Sequence, residues 1–207
     1  MSNENSVYGL SAKQARLLVG VLVLLLGLAS MSLGYTLYLN SEQKSTIRSA
    51  SNKVTASTLI NSLGSLSNSY LYIAGDMAIT HRDINTVIRQ ADLIEAQAFI
   101  LSMLEPEQDE LWDSLALFSW DVYSLMYRID QEVYSVGVVP KDSMSLTGEQ
   151  VELFSEMKEI TTDITLSITS LRVTGGGYNE TAVSELTKLL SDYHELAEEG
   201  YKAFGLE

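Results

Sequence analysis

The chain has 207 residues, with 13 Lys and Arg against 27 Asp and Glu, and the resulting charge of −14 sets it against nucleic acid, whose binding rests on neutralising phosphates. It contains no cysteine, which excludes disulfides, thiolate catalysis and cysteine-based zinc sites. A chain of this length has room for a short tail, one membrane segment and one extramembrane domain with a sizeable core.

Residues 1–16 read as a short cytoplasmic tail. The next stretch, Leu17 to Leu39, is LLVGVLVLLLGLASMSLGYTLYL, twenty-three residues without a charge. A helix rises about 1.5 Å per residue, so this run matches the roughly 30 Å of a bilayer's hydrocarbon core with length left for tilt. A lone apolar segment closes its backbone hydrogen bonds in lipid only as a helix. A cleaved secretory signal is the competing reading, and Ala29, Ser30, Ser32 and Gly34 offer cleavage points. Apolar character resumes through Tyr35, Leu37, Tyr38 and Leu39, which favours a retained signal anchor. Lys13 and Arg16 before the span place the N-terminus inside and the remainder outside, although Lys44 and Arg48 beyond it make the contrast weak. The expectation is a single-pass protein of the cell membrane with its C-terminal domain extracytoplasmic.

Gly20, Gly27 and Gly34 recur every seven residues with Ser30 beside them, laying small residues along one face of the span. Small residues let membrane helices approach closely, so this stripe is a candidate packing surface for a homodimer or another span. Glycine is also simply frequent in membrane helices, and no strict GxxxG is present.

Residues 40–55 are polar and read as a helical stalk; residues 56–207 read as an acidic helical-bundle domain. From Asn40 onward the chain carries eleven Lys and Arg against twenty-six Asp and Glu, a net of −15. Such a charge keeps a domain soluble or attracts cations and basic partners. Leu59, Leu63, Leu66, Tyr70, Ile73 and Met77 alternate spacings of four and three, the seam of a helix packed in a bundle or coiled coil. One helix is therefore expected from the membrane to about residue 77, with Gly64 or Gly75 as places for a bend. The next runs from Asp83 to Leu104, capped by Asp83 or Thr80, with Ile84, Val87, Ala91, Ile94, Ala98 and Leu101 inward.

Glu105-Pro106 ends that helix and starts another, because proline suits a first turn and pushes its predecessor out of helical geometry. The third bundle helix, to Val133, is apolar almost all round and is expected to be central. Its aromatic residues Trp112, Trp120, Tyr123 and Tyr127 form a candidate partner or ligand face, with core packing the favoured alternative. Gly137 to Leu146 reads as an extended loop, and Thr147-Gly-Glu-Gln150 matches a capping box. A fourth helix runs to about Val173 despite its β-branched second half, GGG at 175–177 ends it, and a fifth starts at Asn179 or Thr181. The fold class is all-α: a transmembrane helix continuing into an antiparallel bundle of four to five helices. No second apolar span follows.

Chemistry is sparse. The two histidines, His81 and His194, lack the Glu-x-x-His context of a di-iron bundle, and the acids around them read as surface charge. There is no Gly-x-Ser-x-Gly elbow and no phosphate-binding glycine loop, and EPEQDE at 105–110 lacks the glycine and closing Glu of a calcium loop. No enzymatic activity and no cofactor are expected. Asn179-Glu180-Thr181 offers a glycosylation sequence or simply a helix start.

The architecture is similar to the extracytoplasmic helical-bundle sensor domains of chemoreceptors and sensor kinases, in which a membrane helix runs into the first bundle helix. Those receptors return through a second span to a cytoplasmic signalling domain, which this sequence does not show. The expected function is a membrane-anchored interaction or sensing module binding a small ligand or partner protein. The alternative is a structural or accessory subunit of a larger membrane or envelope complex.

Overall fold

A computed structural model describes residues 12–134, 143–171 and 178–206; side chains of 12–27, 29, 48, 52, 54–56 and 132–134 lie outside that description. The chain divides into two compact units, Met1–Arg48 and Ser49–Glu207. Helix α1 spans Ala12–Val54. In the first unit its described side chains, Leu28, Met31, Leu33, Tyr35, Leu37 and Tyr38 among them, are exposed. Among the described residues no helix is long and apolar enough to cross a membrane, so the expected span at Leu17–Leu39 is not recovered as one.

The second unit is the helical bundle, built from α2 (Ile60–Asp76), α3 (His81–Leu104), α4 (Asp109–Arg128), α5 (Gly148–Ser170) and α6 (Glu180–Ala203). A π-helical turn at Thr55–Leu59 separates α1 from α2 where the sequence suggested one uninterrupted helix. Such a turn takes in an extra residue and rotates the face that follows. From Leu59 onward Leu63, Leu66, Tyr70 and Ile73 are buried. Met77, expected to extend this seam, instead caps α2 in the left-handed region at φ 51° and is exposed.

The termini follow local chemistry. Thr80 caps α3 in a complete capping box with Asp83, and Thr147 does the same for α5 with Gln150. Pro106 opens a 3₁₀ turn, Pro106–Gln108, that leads into α4. The β-branched half of α5 is helical because Ile164 and Ile168 are buried at helical spacing; its threonine hydroxyls are satisfied on their own helix, Thr161 donating to Met157 O and Thr165 to Thr161 O at 2.7 and 2.8 Å. At the end of α6, Gly205 takes φ 68°, its N–H bonds Lys202 O and that of Leu206 bonds Tyr201 O, a Schellman closure that buries Leu206. Most of the expected loop Gly137–Leu146, and Gly175–Gly177, lie outside the described residues. Within that loop, Met144–Ser145 (β2) pairs antiparallel with Ala78–Ile79 (β1), a contact periodicity did not suggest.

Neighbouring helices form a closed ring in the order α2, α3, α4, α6, α5. The pairing is antiparallel for α2 with α5, where Ser67 Oγ reaches Lys158 O, and for α3 with α4, where His81 meets Asp130. It is also antiparallel for α5 with α6, where Gln150 Nε2 donates to Ala203 O. The exception is α4 with α6, which run parallel: Asp121 pairs with His194 and Ser124 with Tyr201. The expected antiparallel bundle is thus met by the other pairs and departs at this one, because five helices in a ring cannot alternate direction throughout. Inside, Tyr70, Trp112, Phe118, Phe154 and Tyr193 supply the bulk, with Phe118 and Tyr193 edge to face at 4.5 Å between ring centres.

Candidate interaction face

The aromatic residues of α4 divide between inside and outside. Trp112 is buried in the core, 1 % exposed, and its indole N–H has no hydrogen-bond partner. It does not join the others. Trp120, 58 % exposed, stacks on half-buried Tyr123 at 5.6 Å and 21°, and Tyr123 stacks on exposed Tyr127 at 5.8 Å and 7°. Three rings thus form a ladder up the outside of the helix. Leu117, 65 % exposed, extends it by one turn. The sequence reading missed Leu117, although Asp113, Leu117, Trp120, Ser124 and Tyr127 follow the four-three spacing of one helix face.

The expectation that α4 is central is therefore corrected. Its inward residues Leu111, Leu115, Phe118, Val122 and Leu125 are buried, but among the described residues only the helices α3 and α6 flank it, and Leu117, Trp120 and Tyr127 stay exposed on its outer side. A helix apolar on both sides met only half the cover it needs.

Both flanks of α4 are pinned by the chain's histidines. On the α3 side His81 Nδ1 lies 2.7 Å from Asp130 Oδ1, and Gln131 Nε2 donates to the other oxygen of that buried carboxylate. On the α6 side His194 Nδ1 lies 2.9 Å from Asp121 Oδ2. The hydrogen bond and charge of Asp121 raise the His194 imidazole above its ordinary value, and burial raises the Asp121 carboxyl against the opposing pull of His194. Farther along, Tyr201 Oη and Ser124 Oγ are 2.9 Å apart and the Arg128 guanidinium lies 5.1 Å over the Tyr201 ring. The ladder therefore sits on a helix clamped on both sides. Its backbone is prearranged for contact.

Other expected sites fare differently. Of the small residues in the apolar run, Gly34 has open space beside it and Ser30 is exposed, whereas Gly20 and Gly27 fall where side chains are not described. Among the described residues no group of three or more His, Asp or Glu is placed to hold a metal ion.

No family model matches the chain, and no curated protein or solved structure matches it. What the face offers is apolar and aromatic area on a rigid support, which suits binding rather than bond-breaking chemistry.

Proposed function

We propose that the chain is a membrane-anchored interaction module whose extracytoplasmic bundle docks a partner protein on the outer face of α4. The observation that carries this is the ladder of exposed Leu117, Trp120 and Tyr127 with half-buried Tyr123 stacked between the two rings. Large rings left in water are costly to a domain that has no use for them, and Trp and Tyr are the residues on which binding energy concentrates. The anchor rests on the uncharged run Leu17–Leu39 and on the exposed apolar side chains of α1 from Leu28 onward.

Two measurements test the reading. Native electrophoresis after mild detergent extraction should show a complex that collapses in Trp120→Ala and persists in Leu166→Ala, a change at a similarly exposed apolar side chain on α5. A complex indifferent to Trp120 would sink the docking assignment. For the anchor, alkaline carbonate should leave the protein in the membrane pellet, and its release would overturn that part.

A further inference from the structure

We infer that the partner segment seated on the α4 face is a cationic amphipathic helix, an inference that rests on the docking role proposed above and adds the chemistry of its occupant. The face has two properties that together select for one. Its centre is apolar and linear: Leu117, Trp120 and Tyr127 repeat at three and seven residues along about 15 Å of α4, the length and spacing that one helix presents to another. Its surroundings are acidic. Over their whole lengths the two parallel neighbours α4 and α6 carry ten carboxylates, four on α4 and six on α6, against Arg128, Lys188 and Lys202; of these Asp121 is paired with His194 and Asp192 lies beside Lys188. Arg128 is engaged over Tyr201, and Lys188 lies 3.9 Å from Asp192. Asp113 is exposed on the stripe itself, one turn before Leu117, and Glu198 is exposed near Asp121. On the opposite flank of α4 from α6, α3 carries the exposed cations Arg82 and Arg89 beside Asp83, Asp92 and Glu95, so it is nearly balanced while α6 is strongly acidic.

An apolar strip beside a field of one sign excludes most occupants. A second copy in a two-fold arrangement would bring the same acidic face against itself, since an isologous interface pairs identical patches. An anionic lipid surface is repelled for the same reason. A helix with leucine-like residues along one face and Lys or Arg beside them covers Leu117, Trp120 and Tyr127 while placing its charges against the carboxylates. Complementary charge of this kind speeds encounter and fixes orientation, while the buried rings supply most of the affinity.

Trp120 is the natural reporter, because Trp112 is already buried and its emission changes little when the face is covered. The experiment titrates the full chain in mild detergent, with empty micelles as blank. One probe is an alanine-based helical peptide bearing leucine along one face and lysine beside it; its twin carries glutamate in place of each lysine. The expected result is a blue shift of Trp120 emission with the lysine peptide and at least about tenfold weaker binding of the glutamate twin. Raising salt from low to high should weaken the lysine peptide by about tenfold. Trp120→Ala, followed by anisotropy of labelled peptide, should weaken it by about thirtyfold while Leu166→Ala leaves it unchanged. Asp113→Lys should narrow the preference for the lysine peptide, a readout of charge that a folding defect would not mimic. Equal binding of the two peptides, equal losses at Trp120 and Leu166, or a blue shift on self-association or with anionic vesicles instead would overturn the inference. If the native complex depends on Trp120 yet the lysine peptide fails to bind, the docking role stands and the cationic partner falls; if neither depends on Trp120, both fall.

Discussion

The hydroxyls of Tyr70 on α2 and Tyr193 on α6 meet at 2.6 Å in the centre of the bundle, both side chains fully buried. These helices are not neighbours in the ring, so the bond crosses its interior. Burial pushes both phenols well above their ordinary range, which keeps them neutral and able to share a hydrogen.

That pairing predicts a non-additive mutant cycle. Tyr70→Phe or Tyr193→Phe alone strands one buried hydroxyl and should cost about 1–3 kcal/mol. With one bond between two hydroxyls, the accepting one keeps an unused hydrogen, so the double Phe variant should be no less stable than either single one. Urea unfolding of the four proteins measures this, and additive losses would refute it.

Two helical glycines should respond to alanine with opposite signs. Gly64 in α2 has open space where a Cβ would go, so Gly64→Ala should gain roughly 0.5–1 kcal/mol from helix propensity. At Gly200 in α6 the added Cβ would lie 2.8 Å from Leu125 Cδ2 and 3.5 Å from Leu153 Cδ2. Leu125 is fully buried and has little room to yield, so Gly200→Ala should lose about 1–3 kcal/mol net. Thermal unfolding midpoints moving in the same direction would count against this packing.

Trp112 and Gln97 each bury a polar atom without a partner, the indole N–H and the amide Oε1. Replacing a stranded group by an apolar one of similar shape removes its desolvation cost. Gln97→Met should therefore fall within about 1 kcal/mol of wild type despite losing the 3.4 Å contact to Ser62 Oγ. Trp112→Phe should cost less than about 2 kcal/mol, whereas Trp112→Ala should cost about 3–5 through the cavity it opens. A large loss at Gln97→Met would show that the amide is satisfied in solution.

The His194–Asp121 pair predicts a pH dependence that begins near the ordinary imidazole value of 6.5 and extends upward from it. The imidazole holds its proton more tightly in the folded chain than in the unfolded one, where its value is near 6.5. Its stabilisation is thus complete below that value and disappears as pH rises through the raised one. Because His194 is 61 % exposed, the effect should be modest. Unfolding curves should show wild type losing stability over this window, with His194→Gln and Asp121→Asn both flatter. A wild-type slope that survives in either variant would exclude the pair as its source.

Helix existence, type and most termini could be read from the chain because they depend on local chemistry. Thr80 with Asp83, Thr147 with Gln150, Pro106 and Gly205 act within a turn of where they stand, and the spacing of Ile84 to Leu101 names its own buried face. The run Leu17–Leu39 likewise declares its hydropathy without reference to anything else. What periodicity does not encode is which neighbour covers which face. It placed Trp112 with Trp120, yet one is core and the other exposed, because among the described helices of the bundle α4 is flanked by α3 and α6. Nor did it reveal that Tyr70 and Tyr193, 123 residues apart, share a hydrogen, that His81 and His194 both clasp carboxylates of the α4 segment, or that α6 runs parallel to α4. Those outcomes rest on contacts between residues distant in the chain, and only the closing of a five-membered ring of helices brings them together.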